Sequence, residues 1–400
     1  MKNKVLLLLI GMTILFINSC SSDSNSENAN CNNEFFEGDL IFGSQEELNL
    51  FNSNCYSKIN GSLILAGPIT DISNLQNITT INGRLFITNT LLYDLTGLEN
   101  LNSVEIIEVH YNSILQDISA LSSITSVNNL SLVDNNSLTN LAGLNNINNV
   151  VENVTIRGNL ELHNLTGLNN LTTIGQNFVL FDSYLENMIG LESLETIGNT
   201  FQISSNSLLE NLDGLESLNS AGRLFIHSNS NQNPSGLIEI DGLQNLESTN
   251  EIIISNNFLL ENIQGLSNVS STLYSLNILN NFSLHNLDGL ENITQIEHEL
   301  EIHQNFELTD LNGLHNISYV GDILDIYNNS LITNLDALSN LNYVNSTIYI
   351  AANEQLTDLC GVQQLVINVY DDYADQYIEL GGNGFNILNN TDFVNGDCSL

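Results

Sequence analysis

The chain has no tryptophan, two prolines and only six lysines and arginines in 400 residues. The shortage of bases excludes most. Forty-six acidic side chains give a formal charge of −40 and a pI near 4.1. Loss of residues 1–19, which hold Lys2 and Lys4 and no acid, would take the charge to −42. Lys58, Arg84, Arg157 and Arg223 would then be the remaining strong bases. Such a surface repels polyanions, so no nucleic-acid partner is expected and the anionic face of a membrane is a poor one. A run long enough to span a bilayer comfortably is also missing, since Val5–Ile17 offers only 13 residues. Nor is there a P-loop, a GxSxG, an HExxH or an EF-hand loop, and with them go the enzyme and calcium-loop classes they mark. Yet 42% of the residues are hydrophobic, which excludes a disordered acidic tail.

The short apolar run has the form of a targeting signal. Lys2 and Lys4 precede it, and it ends in Ile17-Asn18-Ser19-Cys20. This resembles a bacterial lipoprotein signal, which implies cleavage after residue 19, lipid on Cys20 and anchorage in the outer membrane with the protein at the cell surface. The Asn at the second position before the cysteine departs from the usual pattern. Residues 20–30 carry no apolar side chain larger than Ala after the cysteine and read as a flexible tether. Four further cysteines allow three pairings. Cys31 with Cys55 and Cys360 with Cys398 bracket the first and last folded segments, and an oxidising compartment favours bonding them as two caps.

Between about residues 60 and 365 one pattern recurs, roughly L-x-I-x-x-N-x-x-L-x-N/D-L-x-G-L-x-N-L-x-x-I. Its anchor aliphatic falls at Ile72, Leu95, Ile118, Leu141, Leu165, Met188, Leu212, Ile240, Ile263, Leu287, Leu311, Leu335 and Leu359, 13 copies spaced 23 or 24 residues apart except for one 28. So regular a period predicts a solenoid in which each coil contacts only its neighbours. Within a coil, Leu300 and Ile302 alternate with Glu301 and His303, the two-residue rhythm of a half-buried strand. Leu308, Leu311, Leu314, Ile317 and Val320 then recur every three residues, which suits a tight arc. The expected architecture is all-β, a parallel strand and an arc per coil. The divisions are a signal (1–19), a tether (20–30), a cap with a short helix (31–60), the repeats (61–365) and a second cap (366–400).

Three columns support the register. An Asn, or Thr90 or Ser183, follows each strand and would satisfy backbone groups at a buried corner. A small residue stands two places after the anchor, mostly Gly. An acidic or amide residue precedes the anchor and would cap a turn. Asp71, Asp94 and Asp117 stack there on successive coils, so that a cation such as calcium competes with plain turn-capping as their role.

The runs LENLDGLESLNSAGRLFIHSN and LHNLDGLENITQIEHELEIHQN resemble bacterial receptor-L-domain-type leucine-rich repeats, and the likeness covers about residues 38–400. The resemblance implies a right-handed parallel β-solenoid on the cell surface with a binding or adhesive role, and carries over no catalytic residue. The opening segment is similar too, with Ser44 and Glu47 placed as a capping box. A polysaccharide-processing or cation-dependent carbohydrate-binding β-helix is the alternative. Its lyases use a Lys or Arg base beside acidic partners, whereas Arg84, Arg157 and Arg223 stand on different coils. The seven histidines read as scattered surface side chains. No cofactor is expected. Contacts with a protein or glycan are expected on the outward strand face, at Arg157, Phe181, Phe225 and His227 in its middle and Tyr327 with Tyr349 further on.

Overall fold

A computed structural model describes residues 35–51, 55–229, 235–269, 271–372, 377–383 and 395–398. Cys20 and Cys31 fall outside them. The chain winds as a parallel β-solenoid, one coil per repeat, and its 18-stranded main sheet runs the length of the stack. Strand pairs confirm the columns residue by residue. Phe86 lies opposite Glu108, Val179 opposite Gln202, and Asp325 opposite Tyr349. The sheet also reaches into both ends, through Phe35–Glu37 and Leu40–Phe42 before the repeats and Tyr377–Glu379 after them.

Coils of unequal length stay in register by bulging. Ile81 pairs with Val104 and Arg84 with Ile106, so two residues of one strand, Asn82 and Gly83, face only Glu105 of the next. Similar shifts occur at Val127/Asn129 and Ile197/Thr200. Further along, the piece ahead of the bulge detaches into a second sheet of four strands, Ser271–Leu273, Ile293–Ile296, Tyr319–Val320 and Tyr343–Val344.

The interior is aliphatic but for a few phenylalanines, among them the stacked Phe178 and Phe201, and every anchor residue is buried. Loss of one such leucine to alanine costs about 2–5 kcal/mol in a packed core. A column of asparagines is fully buried as well. Each of these side chains clips its coil to the one before. Asn257 accepts from the backbone N–H of Asn229 at 3.0 Å and donates to the carbonyl oxygen of Ile226 at 3.0 Å. The column runs from Thr90, whose N–H donates to Asn112 Oδ1, to Asn383, which receives the N–H of Asn353. Just ahead of it the backbone turns left-handed, as at Tyr111 with φ 60° and Asp134 with φ 54°.

Both ends are closed. A short helix, Gln45–Leu50, starts at Ser44, whose Oγ accepts from the N–H of Glu47 at 3.3 Å. Glu47 reaches back to the N–H of Gly43 at 2.7 Å, one residue ahead of the expected capping box. At the other end Cys360 and Cys398 form a disulfide beside the helix Gln363–Asp372. Cys55 is disulfide-bonded as well. Among the described residues no helix is long and apolar enough to cross a membrane.

Candidate binding face

The outward face of the main sheet gathers aromatic, basic and acidic side chains into three clusters. Parallel pairing places like positions of adjacent coils about 4.8 Å apart, so neighbours in a column touch.

The first cluster was not anticipated as a site. The Arg84 guanidinium lies 4.8 Å from the centre of the Phe86 ring, and its Nη1 is 3.0 Å from a carboxylate oxygen of Glu108. Phe86 meets the edge of His110 at 5.4 Å, and His110 Nε2 is 2.9 Å from Ser131 Oγ. Burial pushes the His110 pKa down, with Glu108 opposing. A neutral imidazole is favoured there.

In the middle, Arg157 and Phe181 come together, the guanidinium 5.1 Å from the ring centre. Arg157 is exposed and Phe181 half-buried. Among the described residues no carboxylate pairs with Arg157, whereas Arg84 and Arg223 are tied to Glu108 and Glu251. Phe225 and His227 stand two coils further along, and the coil between presents Gln202 and Ser204, bonded to each other at 3.0 Å. The expected continuous patch is therefore divided. His227 is fastened on its own side, with Nδ1 2.7 Å from Ser255 Oγ and Nε2 3.0 Å from Ser228 Oγ.

The third cluster joins Tyr327 and Tyr349, ring centres 5.8 Å apart, to an acidic pocket of the same columns. His303 meets Tyr327 edge-on at 5.9 Å, and its Nε2 is 3.0 Å from Asp325 Oδ1. This corrects the reading of His303 as a solvated surface side chain, since only 24% of it is exposed. Glu301 lies opposite Asp325, and burial, with Glu299 adding its charge, raises the Glu301 pKa. Glu301 and Asp325 were legible as column neighbours, but only side-chain directions bring His303 between them.

Asp71, Asp94 and Asp117 serve their own turns. Each accepts from the N–H two residues on, at 2.8, 2.9 and 2.6 Å from Ser73, Thr96 and Ser119. The Ser73 N–H holds the Asp71 pKa down, opposite to what mutual repulsion would do. Asn140, Asn211 and Asn286 make the same bond without charge.

No protein-family model and no curated protein matches the chain. Solved structures similar to it include an internalin (InlF) from Listeria monocytogenes, at 17% identity and a TM-score of 0.41 over 86% of this chain and 90% of that one. The functional domain of InlJ from the same organism, described as including a cysteine ladder, matches at 15% identity and a TM-score of 0.27 over 83% of this chain and 70% of that one. With both scores below 0.5, the architecture rests on the strand register and the residue columns above.

Proposed function

We propose that the protein is a non-enzymatic binding protein of the bacterial cell surface, held in the outer membrane by lipid on Cys20 and presenting the outward face of the main sheet to a protein or glycan. The observation that carries this reading is where the scarce bases go. All three arginines stand on that face, two of them over aromatic rings, in a chain that is otherwise almost wholly acidic. Arginine and aromatic side chains on a rigid support are what dominate binding energy at interfaces, and a guanidinium over a ring adds about 0.5–2 kcal/mol as water leaves it. Arg157, unpaired with any described carboxylate and exposed, is the side chain best placed to receive an acidic group of a ligand.

The test has two arms. Protease added to intact cells should remove the chain while a periplasmic control survives; protection of both proteins rejects surface display. Ligands captured by the full chain should be lost with Arg157→Ala and Phe181→Ala together, the melting temperature staying unchanged. Capture unaltered by that pair would reject this face.

A further inference from the structure

We propose that Glu301, His303 and Asp325 form a site for one divalent cation of the zinc class. The strands Glu299–His303 and Ile323–Tyr327 pair in parallel, with Glu301 opposite Asp325 and His303 two residues further along the same face. One donor atom from each of the three lies within 4.8 Å of the other two. Donors about 2.1 Å from a common zinc ion stand roughly 3.0–3.4 Å apart, a spacing that His303 Nε2 and Asp325 Oδ1 already have at 3.0 Å.

Three observations point to a ligand rather than to a salt bridge. His303 Nε2 and Asp325 Oδ1 are 3.0 Å apart and shut off from solvent, yet neither has a hydrogen-bond partner, because the pair is misaligned for one. Two ligands of one metal sit in this relation, close together with both lone pairs turned to a third point. Next to them Asn277, 6% exposed, donates from Nδ2 to Glu301 Oε2 at 2.7 Å and leaves its own Oδ1 without a partner. It holds the Glu301 carboxylate in place as outer groups do around metal ligands. Finally, no Lys or Arg follows Arg223, so the clustered carboxylates of Glu299, Glu301 and Asp325 have no strong base of their own coils to balance them.

The donor set selects the metal. One imidazole and two carboxylates suit zinc, which takes three protein ligands and leaves a fourth position open. Calcium takes six to eight oxygens, and this set offers too few. Tyr327 lies edge-on to His303, with Tyr349 beyond it.

The full chain, kept in detergent and stripped with a chelator, is titrated with zinc by calorimetry and with cobalt by visible absorption. One equivalent should bind, with the cobalt spectrum of a four-coordinate site, and equal calcium should not compete. His303→Ala should abolish it, Asn277→Ala should weaken it about tenfold, and His315→Ala should leave it unchanged. Zinc uptake of the same stoichiometry and affinity in His303→Ala, no uptake by the native chain, or equal displacement by calcium would each overturn the proposal. Should His303→Ala fail to fold, Asp325→Asn decides, and zinc binding retained there is fatal to the site.

Discussion

The tetrapeptides Asp213-Gly214-Leu215-Glu216 and Asp241-Gly242-Leu243-Gln244 occupy the same place in adjacent coils and differ at one residue, yet their central peptides point opposite ways. Both make the turn that bonds the second leucine's N–H back to the anchor carbonyl, Leu215 to Leu212 at 3.3 Å and Leu243 to Ile240 at 2.9 Å. In the first, Gly214 has φ 110° and gives its N–H to the Glu216 carboxylate at 3.0 Å. In the second the chain tightens into a 3₁₀ turn, and Gln244 gives its N–H to the carbonyl of Asp241 at 3.0 Å. These are the two common β-turns related by a flip of the middle peptide. Glu99, Glu192 and Glu291 stand where Glu216 does, and Gly97, Gly190 and Gly289 before them have positive φ too. Ala120 and Ala337, which replace the glycine, belong to 3₁₀ turns. A carboxylate two residues on pulls the glycine N–H outward with a charge-assisted bond, and only that flipped arc needs the positive φ that glycine supplies.

Breaking the flipped arc should have the largest effect. Gly214→Ala forces a Cβ to within 2.3 Å of the Met188 carbonyl oxygen as well as a left-handed alanine, and should cost about 3–4 kcal/mol in urea unfolding. Gly313→Ala, in a 3₁₀ arc, brings its Cβ within 1.8 Å of the Leu287 carbonyl oxygen, closer than at Gly214, but its φ suits alanine and the neighbouring coil already houses Ala337, so a shift of the arc should relieve the contact at about 1–2 kcal/mol. Equal costs at the two sites would dissolve the distinction. Glu216→Ala should lose about 1 kcal/mol, and Gly214→Ala made on top of it should cost less than on its own, because the arc is then free to flip. Simple additivity of the two in the same unfolding experiment would contradict that coupling.

The sharpest test changes stability least. Gln244→Glu recreates the tetrapeptide of the flipped arcs, and a crystal structure of that variant should show Gly242 with positive φ. Smaller again is a difference in acid response. Desolvation and the nearby Glu291 charge raise the pKa of Asp288, in a flipped arc. The native state then holds a proton that the unfolded chain has lost, so stability falls as pH rises from about 3.8 through the raised value. Asp288→Asn should remove that fall. Asp71, held low by Ser73, contributes in the opposite sense: its stabilisation is complete above its ordinary value and is lost as pH falls through the lowered one. Melting curves of Asp71→Asn and Asp288→Asn between pH 2 and 7 should shift in opposite directions relative to the native chain.

The coil, the strand register and the buried asparagines were legible because each depends on spacing alone. A two-residue alternation fixes which face Leu300 and Glu301 take, and a period of 23 or 24 residues stacks them on their counterparts. The arcs were legible only as a three-residue rhythm. Whether the middle peptide flips depends on one side chain reaching a backbone N–H, and Asn145 and Asn169 show the limit: the same residue type follows a 3₁₀ turn in one coil and bonds the N–H of a flipped Gly167 in another. The candidate face was legible as columns but not as contacts. Arg157 and Phe181 are neighbours in one column and meet because their strands pair at that residue, whereas Phe225 is cut off from them by Gln202 and Ser204. The cluster at His303 needed the direction of its ring as well as its column.

The asparagine column also gives the stack a direction of growth. Each amide oxygen accepts an N–H from the corner of the coil before it and not from its own, since Asn112 receives the N–H of Thr90 and itself gives its N–H to Asn135. A chain emerging from its N-terminus therefore always carries one unfinished corner, at the newest coil, with a donor waiting for a side chain not yet made. Along the chain, each coil seals its predecessor and leaves the next donor open. Only a terminator ends the series. Asn383 supplies the last amide to Asn353 from beyond the final arc, so a chain stopped anywhere short of it would keep a live end.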